Sequence, residues 1–209
     1  MKAEEWEPYY TEILDYFGLS RENDEDAARI LATLLLRDDT DLLQKTINDR
    51  DCIVCGNAPS LVQEIKTTDF SGKTVIAADA AASVLYRAGI RPGVIFSDID
   101  GMDDDFLEMN DAGTILVLHA HGDNIPLLCS WVPKIRGRIV GTTQSTPLSH
   151  VHNFGGFSDG DRCVLCAHEL GAASVALIGF DLDDTSVDPV KHGKLMIARK
   201  LLKLLGHDI

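Results

Sequence analysis

The stretch Val75-Ile76-Ala77-Ala78-Asp79, with its companion Gly93-Val94-Ile95-Phe96-Ser97-Asp98-Ile99-Asp100-Gly101, decides how this chain reads. In each, a short apolar run stops at a carboxylate. A continuous run of that length, without polar alternation, suits a strand buried on both faces, as in a parallel sheet covered by helices. Aspartates are rarely buried without a partner, so acids at the carboxyl ends of neighbouring strands imply a bound cation or a charged ligand. Asp98 and Asp100 lie two residues apart. In extended chain both point to one side, where their oxygens converge on a hard ion such as magnesium.

Outward from this pair, the same punctuation recurs along the chain. Strands are predicted at Cys52 to Cys55, Thr74 to Ala77, Val94 to Phe96, Thr114 to Leu118, Arg138 to Val140 and Ser174 to Ile178. Helical stretches separate them near Ser60 to Lys66, Ala80 to Ala88, Asp103 to Met109, Ile125 to Trp131, Asp161 to Leu170 and Lys191 to Leu205. Such alternation means βαβ units, giving an α/β fold: a Rossmann-like, mostly parallel sheet with helices on both faces. Residues 49–209 form this expected catalytic domain. Residues 1–48 read as a small N-terminal helical segment, with helices at Tyr9 to Phe17, Glu25 to Leu36 and Asp41 to Ile47.

Bulk composition narrows the function classes. The 209 residues are 45% hydrophobic and carry a formal charge of −14, which disfavours nucleic acid or an anionic membrane as partner. Residues 1–49 hold thirteen acidic side chains against five basic ones, which reads as a solvated helical face. No apolar run approaches the roughly 18 residues of a membrane span, and the acidic opening does not resemble a signal peptide. Five cysteines, mostly inside apolar runs, fit reduced thiols; a cytoplasmic location is expected. The sequence is compatible with a homo-oligomer.

In open sheets of this class, ligands bind beyond the carboxyl ends of the strands, so the loops there carry the functional reading. Gly56-Asn57-Ala58-Pro59-Ser60 joins the first strand to a helix whose amides suit a phosphate; a plain tight turn is the alternative. Asp79, Asp98, Asp100 and Asp123 follow successive strands and form a candidate magnesium set, with helix caps as the simpler explanation for any one of them. Asp103, Asp104 and Asp105 suit the acidic first turn of a helix. Phe154-Gly155-Gly156-Phe157-Ser158-Asp159-Gly160-Asp161-Arg162 can wrap a ring and its phosphates, with Asp161 as a cap and Arg162 as a phosphate fork. Thr142-Thr143-Gln144-Ser145 offers amide and hydroxyl groups to a heterocycle. Lys194, near the start of the last helix, can reach phosphates.

Three patterns compete with this reading. His119-Ala120-His121-Gly122-Asp123, with His150 and His152, matches the start of a zinc-hydrolase motif, although Asn124 stands where a further His is needed. Asp181-Leu182-Asp183-Asp184-Thr185 matches a phosphatase nucleophile motif, but the 24 residues after it leave no room for the downstream motifs that chemistry needs. Cys52-x-x-Cys55 and Cys163-x-x-Cys166 mimic zinc pairs without the glycine knuckle. Across a strand the first pair faces opposite sides, so core thiols are expected.

The ordered set Gly-Asn-Ala-Pro-Ser-Leu (56–61), Ala-Asp-Ala-Ala (78–81), Gly-Ile-Arg-Pro-Gly-Val-Ile-Phe-Ser-Asp-Ile-Asp-Gly (89–101), His-Ala-His-Gly-Asp-Asn (119–124) and Phe-Gly-Gly-Phe-Ser-Asp-Gly-Asp-Arg (154–162) resembles the archaeal 6-hydroxymethyl-7,8-dihydropterin pyrophosphokinase family. More distantly the chain is similar to the thiamin pyrophosphokinase catalytic domain, which adds a β-rich second domain for which this sequence shows no counterpart. The resemblance implies transfer of diphosphate from ATP to the hydroxymethyl group of a reduced pterin, releasing AMP, with Mg2+, as a step toward folate or a methanopterin-type cofactor. It implies catalytic Asp79, Asp98 and Asp100, a metal held by Asp98, Asp100 and Asp123, and phosphates facing Gly56, Asn57, Ser60, Arg162 and Lys194. Gln144, Asp159 and Asp161 are the implied pterin contacts. A metal-dependent nucleotide-sugar glycosyltransferase using Asp98-x-Asp100 is the competing enzyme class, and a protein that only senses a nucleotide is a third.

Overall fold

The computed structural model describes residues 1–207. Helices α1 (Ala3–Phe17), α2 (Arg21–Leu34) and α3 (Thr40–Ile47) precede an alternating series of strands and helices. That series is β1 (Asp51–Cys55), α4 (Leu61–Glu64), β2 (Thr74–Ala78), α5 (Ala81–Arg87), β3 (Val94–Ser97), α6 (Asp104–Asp111), β4 (Ile115–Ala120), α7 (Ile125–Trp131), β5 (Ile139–Thr143), β6 (Val151–His152), α8 (Asp159–Glu169), β7 (Ser174–Ile178) and α9 (Pro189–Leu204). Among the described residues the strands make one seven-stranded sheet in the order β6-β5-β4-β3-β2-β1-β7. Every adjacent pair runs parallel.

Burial on both faces explains the apolar runs. Ile53, Cys55, Val75, Ala77, Ile95, Leu116 and Leu118 pack with α2, α4, α5, α6 and α7 in one core. Their sequence neighbours Cys52, Val54, Ile76, Ala78, Phe96 and Val117 pack with α3, α8 and α9 in the other. Cys52 and Cys55 therefore face opposite sides of β1, and with Cys163 and Cys166 they are buried thiols.

Several boundaries differ from the expectations for physical reasons. Helix α1 begins well before the expected Tyr9, at Ala3, and contains Pro8. The roughly 3 kcal/mol cost of an interior proline is offset by complete burial of Trp6, Tyr10 and Ile13 against α8 and α9, each contributing about 1.5–3 kcal/mol. Helix α2 starts at Arg21, before the expected Glu25, because Ser20 caps it, its hydroxyl accepting from the Asn23 amide at 3.4 Å; Glu22 and Asp24 lie in its first turn. Strand β4 runs on through His119 and Ala120, expected in a loop, and the edge strand β6 escaped the sequence reading because two residues carry no period. Helix α4 is a single turn.

Candidate functional site

Chain order runs steadily from β1 to β6 and then returns to the far side of β1 as β7, so the loops after β1 and β7 diverge to opposite faces of the sheet. A crevice at such a switch point is where open α/β sheets bind ligands. Here a cleft of about 420 Å³ opens, lined by Gly56 to Pro59 after β1, Asp79 after β2, Asp98 and Asp100 after β3, Asp159 at the start of α8, and Lys191 and Lys194 on α9. A Cβ on Gly56 would lie 2.5 Å from the Gly179 carbonyl oxygen, so glycine is what lets the two loops touch at the floor.

Asp79, Asp98 and Asp159 each bring an oxygen within 4.8 Å of the others, all three half-buried. Each is placed by its own local device. Asp79 adopts φ 45, with its amide donating to the Phe96 carbonyl at 2.7 Å and its Oδ1 accepting from the Ser97 hydroxyl at 2.7 Å. Ile99, β-branched and yet at φ 77, is held by an amide bond to Ser97 Oγ (2.9 Å) and by a fully buried side chain. This left-handed residue is a real outlier, and strain of this kind persists only where the surroundings over-determine it. It turns the chain sharply between Asp98 and Asp100. The Asn124 amide side chain completes the clamp, donating to the carbonyls of Asp98 and His119 at 2.7 Å each.

That turn bears on the expected metal set. The segment 98–100 is not extended; Asp98 and Asp100 line the same cleft, Asp100 being exposed with its amide donating to Asp98 Oδ1 at 3.2 Å. Asp123 is also exposed and lines a neighbouring cavity rather than the trio. The third converging carboxylate is Asp159, which the sequence reading gave to the pterin. Asp161 borders the cleft but is wholly buried, accepting from the Phe157 and Ser158 amides at 2.8 and 2.7 Å and from the Ser158 hydroxyl as the capping box of α8. Ser60 is exposed and lines neither cavity, while Asn57 reaches the cleft. The amides of Gly56 and Ala58 donate to the Ile178 and Gly179 carbonyls, so the loop is less free to cradle a phosphate than its letters suggest.

Electrostatics support a cation-accepting trio. Burial pushes the Asp159 carboxyl up to about 7, with Arg162 opposing and the charges of Asp98 and Asp79 adding to it. Burial likewise raises Asp79 against the Ser97 hydroxyl, with Asp98 and Asp100 adding like charge. Asp98 moves the other way, held low by His121, whose Nε2 stands 3.6 Å from its Oδ2, against its burial. Three converging oxygens short of positive charge are the donor set that a hard divalent cation takes. Arg162 supplies the nearest cation, donating to Asp159 Oδ1 at 3.1 Å and to the Phe157 carbonyl at 2.7 Å.

A second cavity, of about 260 Å³, shares Asp98, Phe157, Arg162 and Lys194 with the first and extends to Gln144, His121, Asp123 and the α1–α2 turn. Asp24 lines it, a residue the sequence reading left on a solvated face. It is 4% exposed and accepts from the Tyr10 hydroxyl (2.7 Å), Gln144 Nε2 (2.8 Å) and the Gly122 amide (2.9 Å). Only the long-range partner distinguishes Asp24 from its acidic neighbours, so no local signal could have marked it. The zinc reading finds no support: His119 is buried beside Thr142 (3.1 Å), whereas His150 and His152 gather on Asp38. Among the described residues no His or Cys joins a converging ligand group.

An open parallel sheet with a carboxylate-lined cleft at its switch point places this chain among the α/β proteins that bind ligands at strand carboxyl ends. The 6-hydroxymethylpterin diphosphokinase MptE-like family model matches residues 28–187, and the chain belongs to that family. Proteins called 6-hydroxymethyl-7,8-dihydropterin pyrophosphokinase from Pyrococcus furiosus and Methanothermobacter thermautotrophicus are each 38% identical, over all of this chain and 96% and 97% of their own lengths. The protein of that name from Methanocaldococcus jannaschii is 33% identical, over all of this chain and 98% of its own.

Proposed function

We propose that this chain transfers the diphosphate of ATP to the hydroxymethyl oxygen of 6-hydroxymethyl-7,8-dihydropterin, releasing AMP. The observation that carries the reading is end-to-end similarity to three proteins bearing that name, combined with a trio of converging carboxylates at the strand ends. In the reaction, the acceptor oxygen bonds to the β-phosphorus as the bond from that phosphorus to the α,β-bridging oxygen breaks. AMP leaves with the bridging oxygen, and the hydroxyl proton is released.

Little covalent work falls to the protein in such a step, which depends on positioning and charge neutralisation. Asp79, Asp98 and Asp159 fit a magnesium ion, which when bound neutralises phosphate charge. Arg162 and Lys194, both at the boundary between the cavities, offer donors to a transferring diphosphate. His121, its Nε2 3.6 Å from Asp98 Oδ2, favours the ionised form of Asp98. Incubation with ATP, magnesium and the reduced pterin is expected to yield AMP and pterin diphosphate in equal amounts. Pterin-independent hydrolysis, or ADP as the nucleotide product, would sink the proposal.

A further inference from the structure

We infer that the second cavity takes the pteridine ring of the acceptor, with Asp24 and Gln144 reading its hydrogen-bonding edge and the acidic cleft left to the nucleotide. The assignment rests on the diphosphate-transfer reading above and gives it a geometry. A transfer between two substrates needs them to meet at one phosphorus from different sides. The two cavities meet in just that manner: Asp98, Phe157, Arg162 and Lys194 belong to both, and everything else belongs to one.

The walls differ in chemistry. The larger cleft holds the carboxylate trio, Lys191 and the glycine-bearing loop, which suit a cation-bound polyphosphate. The smaller cavity adds an aromatic patch that sits beside polar groups. Phe17 and Phe157, with ring centroids 5.0 Å apart, join Leu19 and Val190 to give it an aromatic and aliphatic lining. Against these stand Asp24 and Gln144, 4% and 3% exposed. Four apolar side chains beside fixed polar groups offer a flat heterocycle both ring contact and hydrogen-bond partners.

The polar pair has capacity to spare. An ionised carboxylate offers about four acceptor positions, and three donors reach Asp24 from within the protein. Gln144 Oε1 receives a long, 3.4 Å contact from Arg162. A pterin presents a ring N–H and an exocyclic amino group on one edge, donors that match these two acceptors. The hydroxymethyl group lies at the far end of the ring, which directs it toward Asp98 and Arg162, where the cavities join.

Val190 is 58% exposed at the mouth of the cavity, so Val190→Trp can narrow the slot without touching the core. The variant is expected to raise the KM for the pterin, and its Kd by fluorescence titration, by about tenfold or more, with the KM for ATP within about twofold. Asp24→Asn, which sets an amide where an acceptor is needed, is expected to weaken pterin binding by roughly 100-fold, checked by a melting curve that confirms folding. Should Asp24→Asn fail to fold, Leu19→Trp repeats the steric test at a second lining position. If wild-type protein makes pterin-dependent AMP and Val190→Trp weakens ATP while sparing the pterin, the cavity assignment alone is overturned. If wild-type protein neither binds the reduced pterin nor makes AMP from it, the diphosphate-transfer reading falls and this assignment with it.

Discussion

Asp159 binds a proton more tightly in the folded chain than in the unfolded one, because its enclosure beside Asp98 and Asp79 pushes its carboxyl up to about 7 despite Arg162. Between the ordinary carboxylate range near pH 4 and pH 7, the native state then holds a proton that the unfolded state has released. Stability from this group accordingly falls as pH rises through that window. On the proposal that a divalent cation takes the proton's place, magnesium is expected to raise the melting temperature more at pH 8 than at pH 5. Asp159→Asn, which keeps an acceptor for Arg162, should flatten the pH slope and remove most of the magnesium response. Melting curves of the two proteins that run parallel across pH 5 to 8 would show that Asp159 has no such role. Gly101 makes a second case. A Cβ there would lie 2.7 Å from Asp79 Oδ2, so Gly101→Ala displaces that carboxylate. Turnover should drop by about tenfold or more at fixed ATP, measured as AMP release.

At the scale of elements, the sequence made legible what depends on local pattern. Buried parallel strands announced themselves as short apolar runs, and aspartates at their ends marked the site edge. What it hid depends on chain reversal or on distant partners: the left-handed turn at Ile99 between Asp98 and Asp100, and the fold-back that brings Asp159 to Asp98. The segment Ser158 to Arg162 shows both sides. Its aspartates were readable as functional, yet spacing alone could not divide them, since Asp159 opens α8 toward the cleft while Asp161, two residues on, turns back to cap it. Asp161→Ala strips acceptors from two amides and a hydroxyl in a buried turn, so a loss of about 2–4 kcal/mol is expected from chemical denaturation. A change below about 0.5 kcal/mol would return Asp161 to the list of ligand contacts.

Across the whole molecule, a run of hydrogen bonds ties the N-terminal helices to the acidic site. Tyr10 on α1 donates to Asp24 on α2, Gln144 after β5 donates to Asp24, and Arg162 on α8 reaches both Gln144 and Asp159. Trp6 adds a bond from Nε1 to the Gln144 carbonyl at 2.7 Å. The ends of three packing layers are thus joined through buried groups, where an unmade hydrogen bond costs more than in water. Tyr10→Phe removes a single donor without changing shape, leaving Asp24 its bonds from Gln144 and Gly122. Stability should fall by about 1–3 kcal/mol, read from denaturant melts. Were α1 only a covering for the core beneath it, the effect would end there. With Tyr10 fixing the carboxylate to which Gln144 donates, the variant should also raise the KM for the acceptor several-fold while sparing that for ATP, since only the second cavity is bounded by Asp24. Equal changes in both KM values, or none, would confine the role of α1 to stability.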